Sequence, residues 1–151
     1  MTRCLALALL APTLALAAPP DFAAALSNKT LVGSFVIDNG PKSPAPLQTD
    51  SYRIGEVRKT GDDEYTVDAR IKYGANDLTV PVPVTVRFAG DVPVLSLENL
   101  NIPLLGEGFG TKLVFDFEAG RYAGTWSHGD VGGTMWGRIE DAKPAAETPA
   151  E

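Results

Sequence analysis

The sequence predicts an all-β fold, a single eight-stranded antiparallel up-and-down barrel or half-barrel with a short N-terminal helix. Three observations carry that expectation. Segments 65–73 and 78–88 alternate apolar and polar residues without a break, the period of strands with one buried and one wet face. Turn-forming residues punctuate the chain at 61–63, 74–77, 89–91 and 119–120. Beyond Asn28 no segment keeps a helical period for long.

The elements follow in order. Asp21-Phe-Ala-Ala-Ala-Leu26 is an alanine-rich run suited to one or two helical turns, with Asp21 at its N-terminal end and Ser27-Asn28 at its exit. Strands are expected at 31–38 and 50–59. In the second, the apolar phase moves from Tyr52 and Ile54 to Val57 across Gly55, as a β-bulge would make it do. Along 65–73, Tyr65, Val67, Ala69, Ile71 and Tyr73 face one way and Thr66, Asp68, Arg70 and Lys72 the other. Along 78–88, Leu78, Val80, Val82, Val84, Val86 and Phe88 oppose Thr79, Pro81, Pro83, Thr85 and Arg87. Four more strands are expected at 92–98, 111–118, 121–127 and 134–140. A meander of hairpins favours a barrel over a Greek-key sandwich, because the sandwich needs long crossovers and only 39–49 and 99–110 are long.

Two irregularities sharpen the picture. Pro81 and Pro83 lie two apart, so both remove N–H donors from the same side of their strand, and a seam or partial opening is expected along that side. Segment 99–110 holds Leu100, Ile102, Leu104, Leu105 and Phe109, too apolar for a solvated connection. It reads as a plug over a barrel end or as a lid hinged by Gly106, Gly108 and Gly110.

Arg3, the apolar run Leu5–Leu16 and the small residues Ala15 and Ala17 make residues 1–17 a secretory signal peptide, removed before Ala18. A membrane anchor is the rival reading, but it needs about twenty apolar residues, and this run is shorter and interrupted by Pro12. The protein is therefore expected in the periplasm or outside the cell, with no membrane span after cleavage. Cys4 leaves with the signal peptide, which excludes disulfides, thiolate catalysis and cysteine-ligated zinc from the mature chain. Without Arg3, 12 basic residues face 19 acidic ones for a net charge of −7, which argues against nucleic acid or anionic membrane as a partner. Residues 18–30 form the N-terminal segment with the helix, 31–140 the barrel and 141–151 a disordered tail of Ala, Pro, Glu and Lys.

Residues 121–139 hold both tryptophans and the only histidine, set among glycines. Such spacing suggests side chains meeting close backbone crossings, with a turn of unusual φ and ψ between two strands. Tyr122 and Trp126 share one face as core residues. Trp136 and Arg138 oppose Met135 and Ile139 and so point outward, where a contact between the two is plausible. Ser127-His128-Gly129-Asp130 contains the residue types of a hydrolytic triad, but adjacent strand residues point to opposite faces and do not converge. His128 reads either as an exposed turn residue or as a ligand contact at a barrel mouth. One histidine beside Asp130, and the acidic turn Asp62-Asp63-Glu64, lack the count and spacing of a metal site, and no phosphate-cradling loop is present, so no cofactor is expected.

Arg121-Tyr122-Ala123-Gly124-Thr125-Trp126, His128-Gly129, Gly132-Gly133 and Gly137-Arg138-Ile139-Glu140, with Ile71-Lys72-Tyr73-Gly74 and Pro81-Val82-Pro83, resemble a family of secreted bacterial proteins. The resemblance spans about 50 to 140 and brings no activity with it. A looser resemblance is to the calycins, the lipocalin-like barrels, which carry Gly-x-Trp in the first strand after a short helix and pack that Trp beneath an Arg from near the barrel's end. Gly33-Ser34-Phe35 and Arg138 occupy those places, with Phe35 in place of Trp. It implies a lipocalin-like fold and, faintly, a ligand-binding role.

These readings converge on a secreted or periplasmic binding protein that is not an enzyme and takes a small apolar or amphipathic ligand. The ligand- or partner-binding residues are expected among Trp126, His128, Asp130, Trp136, Arg138, Leu104 and Phe109. The alternative is a protein-interaction or structural module with a filled core, and a distant third is an extracellular hydrolase.

Overall fold

The computed structural model describes residues 19–73, 76–102 and 106–142. Residues 1–18, 74–75, 103–105 and 143–151 lie outside the described residues, and with them the expected signal peptide, nearly all of the expected tail, part of the hairpin expected at 74–77, and Leu104 and Leu105. One helix, α1 (Phe22–Leu26), precedes eight strands: β1 (Lys29–Phe35), β2 (Gln48–Lys59), β3 (Glu64–Tyr73), β4 (Asn76–Ala89), β5 (Val92–Ile102), β6 (Gly106–Asp116), β7 (Arg121–His128) and β8 (Val131–Asp141). Every strand pairs antiparallel with its sequence neighbour, and β1 pairs with β8 to close the barrel. Alternation along the strands explains this, because closure lets one apolar face become a shared interior while the polar face stays wet.

The interior is built as the pattern dictates. Tyr65, Val67, Val82, Val84, Val86, Leu95, Leu113, Phe115, Tyr122 and Met135 are all buried. The expected bulge is present: the β2–β3 register shifts between Ile54 and Val57, which returns Val57 to the inner face.

Helix α1 closes one barrel end. Asp21 caps it by accepting from the Ala24 N–H at 3.2 Å. Beyond the helix, the Ser27 Oγ accepts from the Val57 N–H at 3.0 Å and the Asn28 N–H donates to the Gly55 carbonyl at 2.9 Å. These bonds lock the helix over the interior, where Phe22 is fully buried with its ring 5.3 Å from Tyr65, 5.7 Å from Phe115 and 6.0 Å from Phe117. A five-residue helix has no stability of its own; this packing supplies it.

The seam expected at the prolines exists. β4 pairs with β3 along its whole length, with Pro81 opposite Asp68 and Pro83 opposite Thr66. Toward β5 the ladder runs only from Ala89↔Val92 to Thr85↔Ser96 and stops there. Val86 donates to Asp63 of the β3 side, so even-numbered β4 residues bond toward β3 and the proline nitrogens face β5. The missing donors coincide with the missing ladder.

The described residues of segment 99–110 are strand and not a plug or lid: β5 continues to Ile102 and β6 begins at Gly106, so Leu100, Ile102 and Phe109 belong to the β5–β6 ladder. The register shifts between Leu97 and Leu100, at Asn99 with φ +53°, which puts Leu97 and Leu100 on the same face although they are three apart. That phase break is what made a strand read as a loop.

Candidate functional site

The end opposite α1 is bounded by segment 36–47 and the β7–β8 turn. That turn is a two-residue hairpin, Gly129-Asp130, with Gly129 at φ +58°. Ser127 and residues 131–133 belong to the flanking ladder, so the turn is narrower than 127–133. Just past β1 the chain passes close over Gly133: a Cβ there would collide with the Val36 carbonyl. This lets the Trp126 indole N–H donate to that same carbonyl at 3.2 Å while Phe35 packs edge-on against the Trp126 ring at 5.5 Å. Phe35 thus sits against Trp126 and not beneath Arg138, which is exposed and turned to Glu140 at 3.2 Å. The packing implied by the calycin resemblance is not the one formed.

The remaining site residues divide between two surfaces. His128 is half-buried at the last rung of β7, its ring stacked on Phe109 at 4.0 Å and 16°, so it is not the exposed turn residue that the sequence allowed. Trp126, His128 and Phe109 therefore cluster near the end opposite α1. Asp130 is exposed in the hairpin turn beside them. Trp136 and Arg138 are on the outer wall, as their phase implied, with Trp136 42% exposed. Leu104 lies outside the described residues. Ser127 is exposed on the face opposite His128, so the two do not form a catalytic pair.

Sequence reasoning missed the interior polar cluster. Asp50 sits opposite Gly33 in the β1–β2 ladder, on the inner phase shared with Tyr52. Tyr122 approaches from β7 across two glycines: a Cβ on Gly137 would lie 2.7 Å from the Tyr122 Cε1, and one on Gly33 would collide with its hydroxyl. Gly33 and Gly137 pair with each other and Gly137 pairs with Tyr122, so the ring lies over a side-chain-free strip that carries its hydroxyl toward Asp50. Both Asp50 carboxylate oxygens and the Tyr122 hydroxyl are shut off from solvent with no hydrogen-bond partner among the described residues. The Tyr52 hydroxyl is near enough to influence Asp50 but makes no well-aligned hydrogen bond to it.

Electrostatics follow from that burial. Desolvation pushes the Asp50 pKa above the usual carboxylate value, partly opposed by the Tyr52 hydroxyl. Desolvation, and then the Asp50 charge, push both Tyr52 and Tyr122 well above the ordinary phenol value, so both remain neutral hydroxyls at any physiological pH. Among the described residues, no cationic side chain shifts Asp50.

On the outer wall, β5, β6 and β7 frame a depression of about 350 Å³ beside Gly108 and Gly110, flanked by Glu98, Lys112, Thr125 and Ser127. Glu98 and Lys112 pair across it at 3.3 Å, which satisfies both charges. No protein-family model, curated protein or solved structure matches the chain.

Proposed function

We propose that the protein is an exported, non-enzymatic barrel that holds a small amphipathic ligand through the end opposite α1. The observation that carries this reading is Asp50, a carboxylate inside the barrel with two buried oxygens and no hydrogen bond. In a purely structural core such a group is a loss, since an unsatisfied buried polar group costs about 1–3 kcal/mol, whereas a ligand that donates to it removes that cost. The closed half of the interior is filled by Phe22, Tyr65, Phe115 and Phe117, so the ligand is confined to the half holding Asp50, Phe35 and Trp126. Export rests on the Arg3 and Leu5–Leu16 pattern. Native mass spectrometry of protein purified from its own host tests the reading. A single small-molecule adduct that disappears in Asp50→Ala supports it. No adduct, together with no saturable binding of any neutral or charged amphiphile, sinks it.

A second reading, a protein-interaction module, is favoured by the outer wall. Trp136 is 42% and Val114 45% exposed, and Ala123 pairs with both, so an apolar row crosses β6, β7 and β8. Under this reading Trp136→Ser leaves stability and any small-molecule adduct unchanged but abolishes cross-linking to a protein in the host. Cross-linking equal to that of the parent chain rejects it.

A further inference from the structure

We propose that the ligand's polar end is a protonated amine, its ammonium N–H groups donating to Asp50 and its apolar body lying against Phe35 and Trp126. This inference rests on the reading of the barrel as a ligand-binding protein and adds the ligand's charge. An ionised carboxylate only accepts hydrogen bonds and offers about four acceptor sites on its two oxygens. Near Asp50 the Tyr52 hydroxyl and the residue's own backbone N–H act on the carboxylate and the Tyr122 hydroxyl faces it, yet neither oxygen has a well-aligned hydrogen-bond partner among the described residues. A ligand hydroxyl would fill one acceptor site and leave the charge uncompensated. A carboxylate or phosphate would add a second negative charge beside the first. An ammonium supplies both what the oxygens lack, up to three donors, and the positive charge that none of the described side chains provides.

The surroundings fit the same class. Tyr52 and Tyr122 are held neutral, so their rings and hydroxyls add no competing charge. Trp126 and Phe35, locked edge to face at 5.5 Å, place further aromatic rings near the same end of the interior. Aromatic faces attract cations within about 6 Å. Gly33 and Gly137 leave room both for the close β1–β8 backbone approach and for the Tyr122 ring, whose hydroxyl lies toward Asp50.

Titration calorimetry on the full mature protein with hexylamine, 1-hexanol and hexanoate at neutral pH tests the proposal. Hexylamine is expected to bind at least about tenfold tighter than hexanol, a difference of one charge-assisted contact, with hexanoate weakest. Asp50→Asn, which keeps the side-chain size, is expected to erase the preference for hexylamine while hexanol binding persists. Tyr122→Phe is expected to keep the preference, since the hydroxyl is not the counter-charge. Equal binding of amine and alcohol, or a preference that survives Asp50→Asn, overturns the cation assignment and leaves the ligand-binding reading standing. Failure of all three probes counts against both. Circular dichroism of each variant separates a lost site from a lost fold.

Discussion

Asp50 is the residue on which the proposed function and stability pull in opposite directions. Its pKa is raised by burial, so between the ordinary carboxylate value and the raised one the native state holds a proton that the unfolded chain has released. Stability from this group is therefore full below the ordinary value and falls as pH rises through the raised one. Asp50→Asn removes that decline, so the variant is expected to gain about 1 kcal/mol near pH 7 by relieving an unsatisfied buried charge and nothing at the acid end. Urea midpoints measured across pH 3 to 8, as an order-of-magnitude window around the carboxylate range, check this; a variant that loses stability at neutral pH means that Asp50 has a native partner. Gly137→Ala should strain the β1–β8 joint, because the added methyl would collide with the Val32 carbonyl and lie 2.7 Å from both the Gly33 Cα and the Tyr122 ring. A loss of about 1–3 kcal/mol is expected from such overpacking, and an unchanged urea midpoint would mean that the β1–β8 backbone and the ring both shift freely. Half of this site was readable in the chain. Asp50 shares the inward phase of Tyr52 and Ile54, and a charged residue on an apolar face is a signal. Gly33, Gly137 and Tyr122 were not readable as its companions, since only strand closure brings residues so far apart in sequence onto one strip.

At the level of elements, α1 and the proline seam do opposite jobs. The helix makes one end solid: Phe22→Ala is expected to cost about 3–5 kcal/mol as a fully buried aromatic, and Asp21→Ala about 1 kcal/mol as a lost cap, both read as shifts in urea midpoint. A Phe22→Ala value below about 1 kcal/mol would mean that the interior collapses onto the gap. The seam makes the wall incomplete. Replacing Pro81 and Pro83 together by Thr restores two N–H donors facing β5, so the ladder should extend beyond Thr85↔Ser96 and amide exchange of residues 97–102 should slow. Unchanged exchange there would place the cause of the seam elsewhere, in the β5 bulge at Asn99. Both elements were legible for a physical reason: a proline removes a donor wherever it sits, and an alanine-rich run behind a capping Asp favours a helix. The β5–β6 hairpin was not, because its bulge breaks the period on which strand reading depends.

For the whole molecule, ion pairs tie neighbouring strands together across part of the outer wall. Arg58 of β2 reaches Asp68 of β3 at 2.9 and 3.0 Å, and Arg70 of β3 reaches Asp77 of β4 at 2.7 and 2.8 Å. Closure then depends on ladders alone at one joint and on ladders plus turns at the other seven. The β1–β8 joint stands without a covalent turn because it has seven paired rungs, from Lys29↔Asp141 to Phe35↔Met135, extended by the Val36 N–H to the Thr134 carbonyl at 2.9 Å. The β4–β5 joint has five rungs, all next to its turn. Its covalent connection should therefore matter more than that of β6–β7, where eight rungs run the length of the strands. The chain's ends allow a direct comparison, since the Ala142 N–H donates to the Asn28 carbonyl at 3.0 Å and about eight added residues at some 3.3 Å each reach back to the start of α1. A circular permutant cut in the Gly90-Asp91 turn is expected to unfold at lower urea than one cut at Ala119-Gly120, both turns being at the helix end of the barrel. Equal midpoints would show that a rung count does not set the strength of a joint, and that the half-open β4–β5 wall is held by its side chains instead.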